Sequence, residues 1–99
     1  MRLIFSDAAE RDLEEIGDYI AEDSPTRAAS FIKEIREASL GLLEAPLRFA
    51  ALEGLEIKGY RRRIHGRYAI VYLVARQDVL IIRVLSLAMD LKSLLTNSN

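Results

Sequence analysis

Apolar residues recur at intervals of three and four over residues 9–43, then crowd into three dense runs rich in Val, Ile and Tyr from residue 60 onward. The first regime is helical. Ala9, Leu13, Ile16 and Ile20 share one face with acids opposite, which predicts an amphipathic helix ending near Ala21 or Glu22. Asp7 and Glu10 have capping-box spacing, with Ser6 as the alternative cap. Asp23-Ser24-Pro25 stops this helix and starts another, since Ser24 suits the N-cap and Pro25 the first helical position. Ala28, Phe31/Ile32, Ile35, Ser39 and Leu42/Leu43 mark the second helix, which ends before Pro46. So short a linker makes the two an antiparallel pair. A brief β run, Arg2–Phe5, precedes them.

Residues 45–57 have no clear period and read as a loop crossing back to a sheet. Residues 60–64, 67–75 and 79–87 are β runs, and the breaks at His65-Gly66 and Arg76-Gln77-Asp78 suit tight hairpins. The middle run is apolar on both faces, as a central strand is. Residues 88–95 fit either a further helical turn or a strand extension, and residues 96–99 should fray. The predicted fold class is α+β, one domain over 1–99. It has an N-terminal strand, an antiparallel helix hairpin and a three-stranded antiparallel meander that completes one sheet packed on the helices.

Strand parity sorts the side chains. With His65-Gly66 as a two-residue turn, Arg63 lies opposite Tyr68 and Arg61 opposite Ile70. An even-length turn after Ala75 places Arg83 opposite Tyr72. One face then carries Arg61, Arg63, Arg83, Tyr68 and Tyr72 among Ile70, Val74, Ile81, Leu85 and Leu87. The other carries Ala69, Val71, Leu73, Ile82 and Val84, a small aliphatic bed for two helices. The first face is too apolar to stand in water, which predicts an interface. A one-residue slip in register would exchange the two sets.

Composition narrows the options. The 99 residues contain no cysteine, which excludes thiol chemistry and cysteine-ligated zinc. Nothing calls for a metal or a cofactor. The N-terminus turns acidic within seven residues, unlike a signal peptide, and no apolar run approaches the ~20 residues of a membrane helix. A soluble cytoplasmic protein with no membrane partner is expected. The net charge of −1 hides a split. Residues 1–56 hold thirteen acids against six bases, and residues 57–99 hold eight bases against two acids. Either the second half meets an acidic partner, or the acidic helices neutralise a basic sheet within the fold.

The order strand, two helices, meander resembles the ParE/RelE toxin superfamily of type II toxin–antitoxin systems. The similar features are the opening FSDAAERDLEEIGDYIAEDSP, Ala28-Ala29 in the second helix, Gly66, Tyr68, Ile70 and Tyr72 in the pattern G-x-Y-x-I-x-Y, and Ile81, Arg83, Val84 and Leu85 in I-x-R-V-L. The helical opening and YIAEDSP look most like the ParE branch. That resemblance implies a plasmid-stabilisation toxin that binds protein, inhibits DNA gyrase without catalysis of its own, and forms a hetero-oligomer with a ParD-like antitoxin. RelE-type relatives instead cut messenger RNA on the ribosome and place basic residues where this chain has Ala69, Ala88 and Met89, with an aromatic residue or histidine where it has Leu95. A pI near 5.8 also suits RNA poorly, so direct nucleic-acid binding is not expected. The alternatives are a RelE-like endoribonuclease and a non-toxic member that serves only as an antitoxin-binding module. ParE-like chains often show H-x-x-R-D after the last strand. Here the segment is Ser86-Leu87-Ala88-Met89-Asp90, which keeps the aspartate alone.

The residues expected to bind antitoxin or target are Arg61, Arg63, Tyr68, Ile70, Tyr72, Ile81, Arg83, Leu85, Leu87 and Asp90, with none catalytic. Beside Gly66, His65 reads as a hairpin residue before a base. Arg61 and Arg63 should pair with acidic groups of a partner or of the chain's own helices. Tyr68 and Tyr72 could stack on bases, but central-strand tyrosines more often pack with a wet hydroxyl. Arg83, in an apolar strand, needs a carboxylate or carbonyl, and Asp90 is a candidate within the chain.

Overall fold

The computed structural model describes residues 1–89 and 91–96, without the side chains of Ile57, Lys92, Ser93 and Thr96. Strand β1 (Arg2–Phe5) leads into helices α1 (Asp7–Ala21) and α2 (Pro25–Gly41), followed by β2 (Arg61–His65), β3 (Tyr68–Ala75), β4 (Asp78–Ser86) and the short helix α3 (Leu91–Thr96). The sheet order is β1-β4-β3-β2, with β1 parallel to β4 and the other pairs antiparallel. This is the predicted α+β architecture. Among the described residues no helix is long and apolar enough to cross a membrane.

Local chemistry accounts for the helix starts. Ser6, rather than Asp7, caps α1 by accepting from Ala9 N–H at 3.0 Å, and Ser24 caps α2 by accepting from Arg27 N–H at 3.1 Å. The β2–β3 turn is Gly66-Arg67, one residue later than predicted, with Gly66 at φ 59° where glycine alone is unstrained. Arg61 therefore faces Tyr72, and Arg63 faces Ile70. That is a two-residue shift between partners, so these side chains keep their predicted faces.

The faces themselves are covered differently from the prediction. Helices α1 and α2 lie over Tyr68, Ile70, Tyr72, Val74, Val79, Ile81 and Val84, meeting them with Leu13, Ile16, Phe31 and Ile35. The opposite face, built on Ala69, Val71 and Leu85, is covered by Leu52 and Leu55 of the crossing loop and by Leu91 and Leu95 of α3. The larger side chains fill the gap under two helices, whereas the small bed of Ala69 and Val71 suits a thinner cover of leucines. The face predicted to lie open is thus the main core.

Strand β4 also departs from simple alternation. Its register passes from Val71↔Arg83 to Tyr72↔Ile81, leaving Ile82 unpaired in a bulge. The extra residue flips the strand, so Ile81 and Val84 both reach the helix side while Leu85 joins the opposite core.

Candidate functional site

The β4 bulge is held by two polar side chains of the α1 segment. Ser6 Oγ donates to Ile82 O at 2.7 Å, and Asp12 Oδ2 accepts from Val84 N–H at 2.9 Å. Asp12 also receives both arms of Arg83, Nε to Oδ2 at 2.7 Å and Nη2 to Oδ1 at 2.8 Å. The Asp12 side chain is 9% exposed and that of Arg83 25%, so the bidentate pair sits at the rim of the core. Hydrogen bonding to Asp12, and more weakly the nearby charge of Glu15, holds the Arg83 pKa above its ordinary value against the opposing effect of burial. Arg83 therefore takes the carboxylate it was predicted to need from Asp12. The candidate partner Asp90 lies outside the described residues.

This pair forms the floor of a groove of about 290 Å³ between α1 and the end of β4. Ile16, Tyr19, Tyr68, Val84, Leu85, Met89 and Leu94 supply apolar wall, and Glu15 and Ser86 add polar groups. Tyr19, Tyr68, Ser86 and Met89 also line a second depression, which continues to Gly66, Arg67, Leu87 and Ala88. The two make one trough. Tyr19 (69% exposed), Met89 (54%) and Leu87 (40%) stand in water along it. The segment after β4 turns tightly into the trough, with Ala88 N–H donating to Ser86 Oγ and Met89 N–H donating to Ser86 O.

Of the residues singled out in the sequence, Tyr68, Arg83, Leu85 and Leu87 meet at this trough. Ile70, Tyr72 and Ile81 do not, being fully buried beneath the helices. Tyr72 keeps its hydroxyl satisfied by donating to Pro46 O at 2.7 Å. Arg61 and Arg63 bind carbonyls in place of the predicted acids: Arg61 donates to Phe49 O at 2.7 Å, and Arg63 donates to Ala38 O at 2.9 Å. Arg63 reaches that carbonyl past Gly41, where an added Cβ would lie 3.1 Å from its Nη1. It also stacks over Phe49, at 5.2 Å from the ring centroid. Both arginines thus hold the crossing segment and the end of α2 against β2.

His65 ends β2 with Nε2 at 3.0 Å from Glu34 Oε1, its ring tilted against Phe31. It lines neither part of the trough. Among the described residues no group of three His, Asp or Glu side chains is placed to hold a metal ion. What the trough offers is shape, apolar surface and fixed charge, the means of binding.

Asp12, Glu15 and Tyr19 were missed from sequence, and Met89 was noted only for the basic residue that related chains carry in its place. Asp12 carried a signal, because it interrupts the apolar stripe of α1 three residues after Ala9 and four before Ile16, just as Arg83 interrupts β4. Two lone opposite charges in apolar stripes can satisfy one another.

No curated protein sequence matches the chain. Its fold is similar to that of a solved chain from the chromosomal ParDE TA system of P. aeruginosa, at 22% identity and a TM-score of 0.73, covering 87% of this chain and 95% of that one. Residues 3–91 match the family described as ParE toxin of type II toxin-antitoxin system, parDE. That match runs from β1 to the start of α3, and the chain belongs to the ParE toxin family.

Proposed function

We propose that this toxin acts by occupying a protein surface, with DNA gyrase as its target, and that a ParD-like antitoxin neutralises it in a hetero-oligomeric complex in the cytoplasm. The observation that carries the reading is the trough. Leu87, Met89 and Tyr19 present a contiguous apolar rim around one concave groove, whereas the other exposed large apolar side chains, Met1, Leu40, Leu47 and Ile64, line neither part of it, and such a rim marks an interface. It is built in part from the segment after the last strand, where ParE-like chains often show the pattern H-x-x-R-D. Binding there needs no turnover by the chain.

The test is induction of the chain alone, followed by a supercoiling assay with purified gyrase. Growth arrest and blocked supercoiling are expected. Leu87→Asp and Met89→Asp, both at exposed positions, should abolish the two effects while leaving the circular dichroism spectrum unchanged. Normal supercoiling in the presence of folded chain would remove gyrase as the target, and cut messages in primer extension would move the reading to RNA cleavage. Ser86 and Met89 stand where such chains often have His and Arg, and the Ser86 hydroxyl closes its own turn by accepting from Ala88 N–H. This favours a second reading, a member that binds its antitoxin without poisoning gyrase. Normal growth with soluble chain present would select it.

A further inference from the structure

The two ends of the trough carry opposite charge. Asp12, Glu15, Ile16 and Arg83 line only the first part, Gly66, Arg67, Leu87 and Ala88 line only the second, and Tyr19, Tyr68, Ser86 and Met89 lie between. At the first end Asp12 is bonded by both arms of Arg83, and Glu15, which acts on Arg83 only through its nearby charge, is the exposed carboxylate. At the other end Arg67 is exposed. Among the described residues neither Glu15 nor Arg67 has an ion-pair partner. The middle offers two tyrosine rings and the Met89 thioether, a surface adaptable to apolar side chains.

We infer that the trough accepts one kind of occupant, a partner-protein segment with an apolar middle, a lysine or arginine placed at Glu15 and an aspartate or glutamate placed at Arg67. This rests on the trough being the partner-binding face and adds the polarity and direction of what binds there. The apolar middle supplies contact area. The two end charges fix orientation and reject segments with like charge at the wrong end. Solvated pairs of this type discriminate modestly, by about two- to five-fold each.

The probes are three acetylated, amidated Leu/Ala peptides of about three helical turns. One carries Glu near one end and Lys near the other, the second Glu at both ends, and the third Lys at both ends. Binding is read from the NMR shift of the Met89 ε-methyl group. The wild-type chain should prefer the Glu/Lys peptide over either of the others. Glu15→Lys should move the preference to the Glu/Glu peptide and Arg67→Glu to the Lys/Lys peptide, each by about two- to five-fold. A thermal melt confirms that both variants fold. Equal affinity for all three peptides, preferences unmoved by the substitutions, or no Met89 shift with any peptide would each overturn the assignment. Because neither gyrase nor growth enters this assay, failure of the target reading and failure of the polarity reading give separate results.

Discussion

Removing the Asp12 carboxylate should cost this chain a large share of its stability. Asp12→Ala deletes three acceptor contacts at once, two from Arg83 and one from Val84 N–H. The Val84 amide is buried, and an orphaned buried donor costs about 1–3 kcal/mol. Breaking a buried ion pair by removing one partner costs about 3–5 kcal/mol, and the exposed quarter of Arg83 lets water reach the guanidinium and reduces that share. The combined loss is roughly 3–5 kcal/mol, against a total of roughly 5–15 kcal/mol for a domain of this size. Arg83→Met keeps the aliphatic stem and leaves Asp12 bonded to Val84, yet strands a carboxylate that is nearly buried, for roughly 2–4 kcal/mol. The double variant Asp12→Ala/Arg83→Met removes both charges and orphans only the amide, for about 1–3 kcal/mol. The double should therefore fall short of the sum of the singles by at least ~2 kcal/mol. Urea unfolding of the four proteins, followed by far-ultraviolet circular dichroism, measures all three differences. A loss below ~1 kcal/mol for Asp12→Ala, or singles that add within ~0.5 kcal/mol, would refute the clamp.

Three further outcomes follow from single contacts. Hydrogen bonds from Arg27 first, and from His65 second, hold the Glu34 pKa below the ordinary carboxylate range, so its contribution to stability is present above the unfolded pKa and fades as pH falls through the folded one. Melting temperature should drop on acidification below about pH 4–5, and Glu34→Gln should flatten that drop; an unchanged slope contradicts the pairing. Tyr72→Phe leaves the core volume intact but deprives Pro46 O of its donor, for about 1 kcal/mol by urea unfolding, with faster proteolysis in residues 45–50. Arg76 holds φ 57° in the β3–β4 turn, a left-handed conformation that costs an L-residue about 1–2 kcal/mol, so Arg76→Gly should raise the urea midpoint, and a lowered midpoint would contradict the turn geometry.

How much of this was readable beforehand depends on which physical signal each feature leaves. The helices announce themselves twice, through period and through Ser24-Pro25, and α2 starts at Pro25 as predicted. The hairpins also announce themselves, and because the β2–β3 turn moved by one residue at both of its flanks, Arg61 and Arg63 stayed on the face shared with Ile70 and Tyr72. Parity survives an even shift. It does not survive a bulge. One unpaired residue, Ile82, sends Leu85 away from Ile81, and no residue type in the strand marks it. The marks lie some seventy residues upstream, in Ser6 and Asp12, which bind the backbone groups the bulge leaves over.

The choice of covered face was hidden for a different reason. When β3 is apolar on both sides, alternation says that both faces are buried but not by what, and two sheet faces compete for one helix pair. Size decides here. Tyr72, Ile70 and Ile81 fill the deeper space below α1 and α2, and the shallow side is left to leucines of the aperiodic crossing segment and of the short helix α3. The consequence for function is a relocation. Ile70, Tyr72 and Ile81 are buried and out of a partner's reach, so the concave apolar surface offered to a partner shifts to the seam where α1 passes the end of β4. The Asp12–Arg83 clamp and the bulge that fix that seam are the same devices that position Leu87 and Met89 at its rim. The stability of the clamp and the shape of the trough are therefore one property, and substitutions at Asp12 should disturb both together.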